Sequence, residues 1–143
     1  VEGWDKNEKY APFGNQEIGS AMTQTSPGDV WSASCPSRAA LEVVGSKWAL
    51  LIVPLLARQP LRNNELLRQV GGISQKMLTQ TLRELERHGL VRRIDHQTVP
   101  PHVEYQLTAL GRSLSEALVV VDRWAENNFA AVASARMAFD RRR

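Results

Sequence analysis

A single cysteine, Cys35, is the only thiol in this chain of 143 residues. An internal disulfide is therefore excluded, which suits a reducing compartment and leaves one free thiol to account for. Long apolar runs are lacking as well: the longest, Trp48 to Ala57, falls far short of the ~20 residues a membrane span needs. The first residues show no signal-peptide pattern, so the expected setting is cytoplasmic with no membrane partner. Absent too are GxSxG, the P-loop, HExxH and any Cys-His pairing at an interpretable spacing. Carboxylates are scattered along helix surfaces and form no convergent acid and base, so no catalytic residue, no cofactor and no enzymatic activity are expected.

The residues that are present divide the chain unevenly. With 43% hydrophobic and 23% charged residues, the composition fits one globular domain. Residues 1–34 carry two basic and five acidic side chains, whereas residues 35–143 carry sixteen basic and ten acidic ones. A basic ordered part favours a polyanionic partner. Residues 1–34 are rich in Gly, Asn, Gln, Ser and Thr without helical or strand periodicity, and read as a flexible arm. Met22 is a candidate start, which would make residues 1–21 an upstream extension; alternatively Trp4, Tyr10, Phe13 and Trp31 pack on a partner or on the domain.

Regular signals begin at Cys35 and run through a domain spanning residues 35–137, followed by a basic tail over 138–143. Pro36 is placed to open a short helix that ends at Gly45. Ser46 caps a second, KWALLIVPLLAR, whose apolar face reads as Trp48, Leu51, Ile52, Leu55 and Leu56, with a kink expected near Leu50 to Pro54. Gln59-Pro60 forces an extended break, and a short helix from Asn63 or Asn64 holds Leu66, Leu67 and Val70. Gly71-Gly72 turns the chain into ISQKMLTQTLRELERHG, where Ser74 is the N-cap and Gly89 the left-handed stop. LVRRID and HVEYQL alternate as two strands around the turn HQTVPP. Thr108 caps a long helix from Ala109 to about Met137, with Asp140 and Arg141 to Arg143 frayed. Its apolar side, Leu110, Leu114, Leu118, Val121, Trp124, Ala125, Phe129 and Val132, is too wide for one small domain.

That order implies a mostly helical α+β fold, a winged helix-turn-helix with a two-stranded wing and an added terminal helix. The helix after Gly71-Gly72 buries Leu78, Leu82 and Leu85 and shows amide and cationic groups outward, the chemistry that reads base edges in a major groove and grips phosphates. Ser74, Gln75, Lys76, Thr79 and Gln80 lie in its N-terminal half and are the candidates for base readout. Arg83 and Arg87 are placed for phosphate, with Glu84 and Glu86 as competing partners on the same helix. Arg92, Arg93, His96 and His102 on the wing are candidates for backbone or minor-groove contact. His96 and His102 can approach each other across the hairpin, yet without a nearby cysteine or a dense carboxylate set no metal site is expected. A winged-helix module that binds a protein instead of DNA is the rival reading.

The segments CPSRAALEVVGSKWALLIVPLL, RNNELLRQVGGISQKMLTQTLRELERHGLV and VPPHVEYQLTALGRSL resemble the HxlR-type winged helix-turn-helix transcriptional regulators from Cys35 to about Trp124. The resemblance implies a homodimeric bacterial DNA-binding regulator; the expected function is a repressor that binds double-stranded DNA at a pseudo-palindromic operator. It implies a dimer contact through Leu114, Leu118, Val121, Trp124 and Phe129, together with the helix after Cys35. Pro54 departs from the family's usual helix former at that position. Several members of that family carry a cysteine just before the first helix and respond through it to oxidants or electrophiles, which makes Cys35 a candidate redox sensor. At a helix N-terminus and with Arg38 one turn away, its pKa would fall; a buried, inert thiol is the alternative. A small-molecule effector held between dimer helices by Trp48, Trp124 and Phe129 is a narrower variant.

Overall fold

The computed structural model describes residues 28–142, so the expectations for Trp4, Tyr10, Phe13 and Met22 lie outside the described residues. Residues 30–36 form successive turns that lead into the first helix, with backbone bonds from Ser32 to Asp29, Cys35 to Ser32 and Arg38 to Cys35. Trp31 is 86% exposed there.

Eight elements follow: α1 (Ser37–Val44), α2 (Lys47–Arg58), β1 (Leu61–Arg62), α3 (Asn63–Gln69), α4 (Gln75–Arg87), β2 (Val91–Asp95), β3 (Val103–Leu107) and α5 (Ala109–Asp140). In α2 the buried set is Ala49, Ile52, Val53 and Leu56, an i, i+3, i+4, i+7 stripe. The face is therefore rotated from the expected one: Leu51 is exposed, while Trp48 and Leu55 only flank the core. The helix runs unbroken through Pro54, in place of an interruption there. Proline removes one backbone donor, and the surrounding α5, β3 and α4 packing holds the turn that this weakens.

The core gathers Ile52 and Leu56 from α2, Leu61, Leu66 from α3, Leu78, Leu82 and Leu85 from α4, Val91, Leu107 and Leu118. Burial of this kind contributes about 1.5–3 kcal/mol for each large aliphatic side chain. The sheet has three strands rather than two, in the order β1-β3-β2, all antiparallel. Pro60 keeps the chain extended, which lets Leu61 pair with Tyr105 and Arg62 with Glu104. In the hairpin Val91 faces Leu107, Arg93 faces Tyr105 and Ile94 faces Glu104.

α5 spans 32 residues to Asp140, beyond the Met137 expected as its end, and its buried residues are Gly111, Ser115 and Leu118. At 1.5 Å per residue it is about 48 Å long, so most of it extends past the core. No single helix among the described residues is long and apolar enough to cross a membrane.

Candidate nucleic-acid interface

α4 is fixed at both ends by local chemistry. Gly72 takes φ +82°, a left-handed conformation that suits glycine, and ends the turn after α3. Ser74 then caps α4, its hydroxyl accepting the Met77 N–H at 3.1 Å. A cap of this type contributes about 1 kcal/mol. Ile73 and Leu78, just outside and one turn inside the cap, are both buried and pin the entry angle. Gly89, at φ +74°, lets the chain leave after Arg87.

Between these ends α4 buries Leu78, Thr81, Leu82 and Leu85, and the Thr81 hydroxyl donates back to the Met77 carbonyl at 2.7 Å. Ser74, Gln75, Lys76, Thr79, Gln80, Arg83 and Arg87 are all exposed. The structure thus brings all the α4 candidates to the outward side of one helix. They are not equivalent. The Gln75 amide donates to Thr79 Oγ1 at 3.0 Å, so that pair is already engaged. The side chains of Lys76 and Gln80 are exposed and present an ammonium and an amide outward. Arg87 lies 3.7 Å from Glu84 in an exposed pair, which is weak and easily exchanged for a phosphate.

The wing candidates separate by face. Alternation along β2 sends Arg92 and Arg93 to opposite sides of the sheet. Arg93 shares a depression with Thr79, Arg83 and Glu86 of α4 and Tyr105 of β3, so it extends the cationic surface of α4. Arg92 lies on the other face, the one that also holds Glu104. One face of the hairpin cannot present all four expected contacts together. His96 and His102 do meet, with ring centroids 4.4 Å apart. Glu104, which sequence reasoning passes over, joins them: its Oε1 is 2.5 Å from His102 Nε2 and 3.6 Å from His96 Nε2. The signal is the hairpin register, which becomes visible only once the strands are paired.

The wing returns to α4 through Thr108. Its hydroxyl donates to the Gly89 carbonyl at 2.6 Å, accepts the Gly111 N–H at 3.1 Å, and its N–H donates to the Leu90 carbonyl at 3.1 Å. One residue thereby joins the end of α4, the end of β3 and the start of α5.

Along α5 the expected contact residues divide. Leu118 is only 2% exposed within the single chain and Leu114 is half-buried against the core, so Leu118 offers no surface to a second copy. Val121, Trp124 and Phe129 are exposed, the last two at 60% and 71%. Leu41 on α1 is exposed as well. Trp48 packs against the core beneath Lys47, whose Nζ lies 4.3 Å from its ring. A cleft of about 360 Å³ lies between Glu42, Val43, Ala49, Gln80, Glu84 and His88, and it includes none of Trp48, Trp124 and Phe129.

Cys35 is half-buried, with Sγ 2.7 Å from Ser37 Oγ. Hydrogen bonds from the Ser37 side chain and then from its backbone hold the thiol below its ordinary pKa. Arg38, one of the two expected causes, is directed elsewhere: it donates to the Val30 and Trp31 carbonyls at 2.9 and 3.3 Å.

The sequence profile of the HxlR-like helix-turn-helix family matches residues 43–133. The chain is 41% identical over 117 residues to the HTH-type transcriptional regulator YtfH of Escherichia coli, covering 82% of this chain and 93% of that protein. Among solved structures, the transcriptional regulator ytfH from Salmonella typhimurium superposes with a TM-score of 0.72 at 40% identity, over 78% of this chain and 99% of that one. The redox regulator HypR in its oxidized form gives 0.62 at 40% identity, over 66% of this chain and 97% of that one.

Proposed function

This chain belongs to the HxlR-like helix-turn-helix transcriptional regulators, and on that premise we propose that it is a cytoplasmic homodimeric repressor that places one α4 per subunit into successive major grooves. The observation that carries this reading is the uninterrupted exposed face from Ser74 to Arg87 on a helix capped at one end and stopped by glycine at the other. Lys76 and Gln80 read base edges, a lysine suiting guanine O6 and N7 and a glutamine suiting adenine N6 and N7. Gln75 and Thr79 contribute after exchanging their mutual bond for a base. Arg83, Arg87 and Arg93 hold phosphates and set the register of the helix in the groove. The second copy is held through α5 by Val121, Trp124 and Phe129.

Cys35 is the effector site in this reading, supported by its lowered pKa and by the likeness to a redox regulator. With one thiol per chain, two subunits can lose two protons and two electrons to an oxidant such as diamide and form an intersubunit disulfide. A quinone would instead add to one thiolate.

Selection of DNA fragments by the purified full chain, followed by footprinting, tests the proposal. The expected result is a pseudo-palindrome whose half-site centres lie about 34–36 Å apart. Failure to enrich any sequence at low salt would favour the protein-binding alternative.

A further inference from the structure

The wing carries a donor set to which the proposed function assigns no role. Backbone pairing runs from Val91–Leu107 to Asp95–Val103 and is extended by the His96 N–H donating to the His102 carbonyl at 2.9 Å. That register sets His96 directly across from His102 at the mouth of the loop. Glu104 lies two residues along β3, on the same face as His102. The side chains converge as this placement requires. Both imidazole Nε2 atoms are directed at the same carboxylate oxygen, at 3.6 and 2.5 Å. Donor atoms of the three residues all lie within 4.8 Å of one another.

We propose that His96, His102 and Glu104 form a binding site for one divalent transition-metal ion of the Zn²⁺ class. Two imidazoles and one carboxylate are the borderline-soft set that Zn²⁺, Co²⁺ and Ni²⁺ take, whereas Mg²⁺ and Ca²⁺ prefer oxygen ligands throughout. Tetrahedral coordination with bonds near 2.1 Å separates ligand atoms by about 3.4 Å. The His96–Glu104 separation already meets this. The His102–Glu104 contact opens by roughly 1 Å as coordination to the metal replaces the hydrogen bond between the two groups. His102 and Glu104 are half-buried and His96 is exposed, so the ion has partial cover and an open side for water. The ion joins the two ends of the loop over residues 96–102. That loop is otherwise held by the Gln97 N–H on Asp95 Oδ1 at 2.9 Å and the Thr98 hydroxyl on the Pro100 carbonyl at 2.9 Å. Its occupant therefore stiffens the tip that carries Val99, which is 99% exposed.

The test is a titration of Co²⁺ into the full chain carrying Cys35→Ser, so that no thiolate contributes. The expected result is one ion per chain, visible d–d bands of low-symmetry Co²⁺, and their disappearance on adding Zn²⁺. His96→Ala, His102→Ala and Glu104→Gln should each weaken binding by at least the ~10–100-fold that removing a residue behind a metal ligand costs. His88→Ala, which removes the remaining histidine, should leave it unchanged. Ring-nitrogen NMR with Zn²⁺ supplies a readout that needs no variant: Nε2 of His96 and His102 should move to metal-bound positions while His88 stays in place. No d–d bands, bands insensitive to the three substitutions, or ring nitrogens that stay in place would leave only a hydrogen-bonded His–Glu cluster and overturn the proposal.

Discussion

At the scale of single residues, the thiol shows how one neighbour decides a chemical property. Cys35 reads from the sequence as a free thiol before a helix, and Arg38 one turn on is the obvious cation. The structure gives the role to Ser37, because the Arg38 guanidinium satisfies two carbonyls of the preceding turns. Spacing identifies which residues are within reach but not which hydrogen bond each one makes. Ser37→Ala should therefore move the inflection of Cys35 alkylation with pH upward, toward that of an ordinary thiol; an unmoved inflection would remove Ser37 as the cause. Diamide should change the affinity of the wild type for its selected DNA and leave Cys35→Ser unaffected.

At the scale of elements, α4 is the most legible part. Its cap, its buried leucines and its glycine stop are all local, and local signals survive without knowledge of the rest of the chain. The sheet is less legible. β1 has only two residues, too short for periodicity, and exists because Pro60 and Tyr105 place it. Glu104 joins the two histidines only through cross-strand register. Gly111 is another case: it stands in the family-like segment VPPHVEYQLTALGRSL, but the sequence gives no physical reason for a glycine there. A Cβ there would collide with the Leu90 carbonyl, where α5 crosses the chain between α4 and the wing. Gly111→Ala should cost about 1–3 kcal/mol, as overpacking does. By contrast, Gly71→Ala, with nothing within 4 Å of the added carbon, should change the melting temperature little. Thermal denaturation of the two variants checks this, and equal melting temperatures would contradict it.

At the scale of the whole molecule, the apolar side of α5 is wider than the core it serves. Leu114 and Leu118 belong to the chain's own core, and the same side continues as Val121, Trp124, Phe129 and Val132 with no covering element among the described residues. A sequence shows the width of such a face but not where the core ends along it, so Leu118 reads as outward until its packing is seen. Asp122 lies on this helix, and partial burial first, then Glu126, raises its carboxyl above the usual range. Trp124→Glu with Phe129→Glu should convert a dimer into a monomer in analytical ultracentrifugation. A dimer that persists would place the contact elsewhere. The monomer should bind DNA more weakly, since it engages a single half-site.

The proposed division of labour gives sequence reading to one half of α4 and the grip on the DNA backbone to the other half and the wing. Fluorescence anisotropy across a salt series, with the selected operator and a scrambled duplex, separates the two. For Lys76→Ala with Gln80→Ala the expected result is a collapse of the ratio between operator and scrambled DNA, at about 1–3 kcal/mol for each base no longer read. For Arg83→Ala with Arg87→Ala it is weaker binding to both duplexes, with a salt slope shallower by about 0.9 for each phosphate no longer held. An operator preference that survives the removal of the Lys76 and Gln80 side chains would contradict the division.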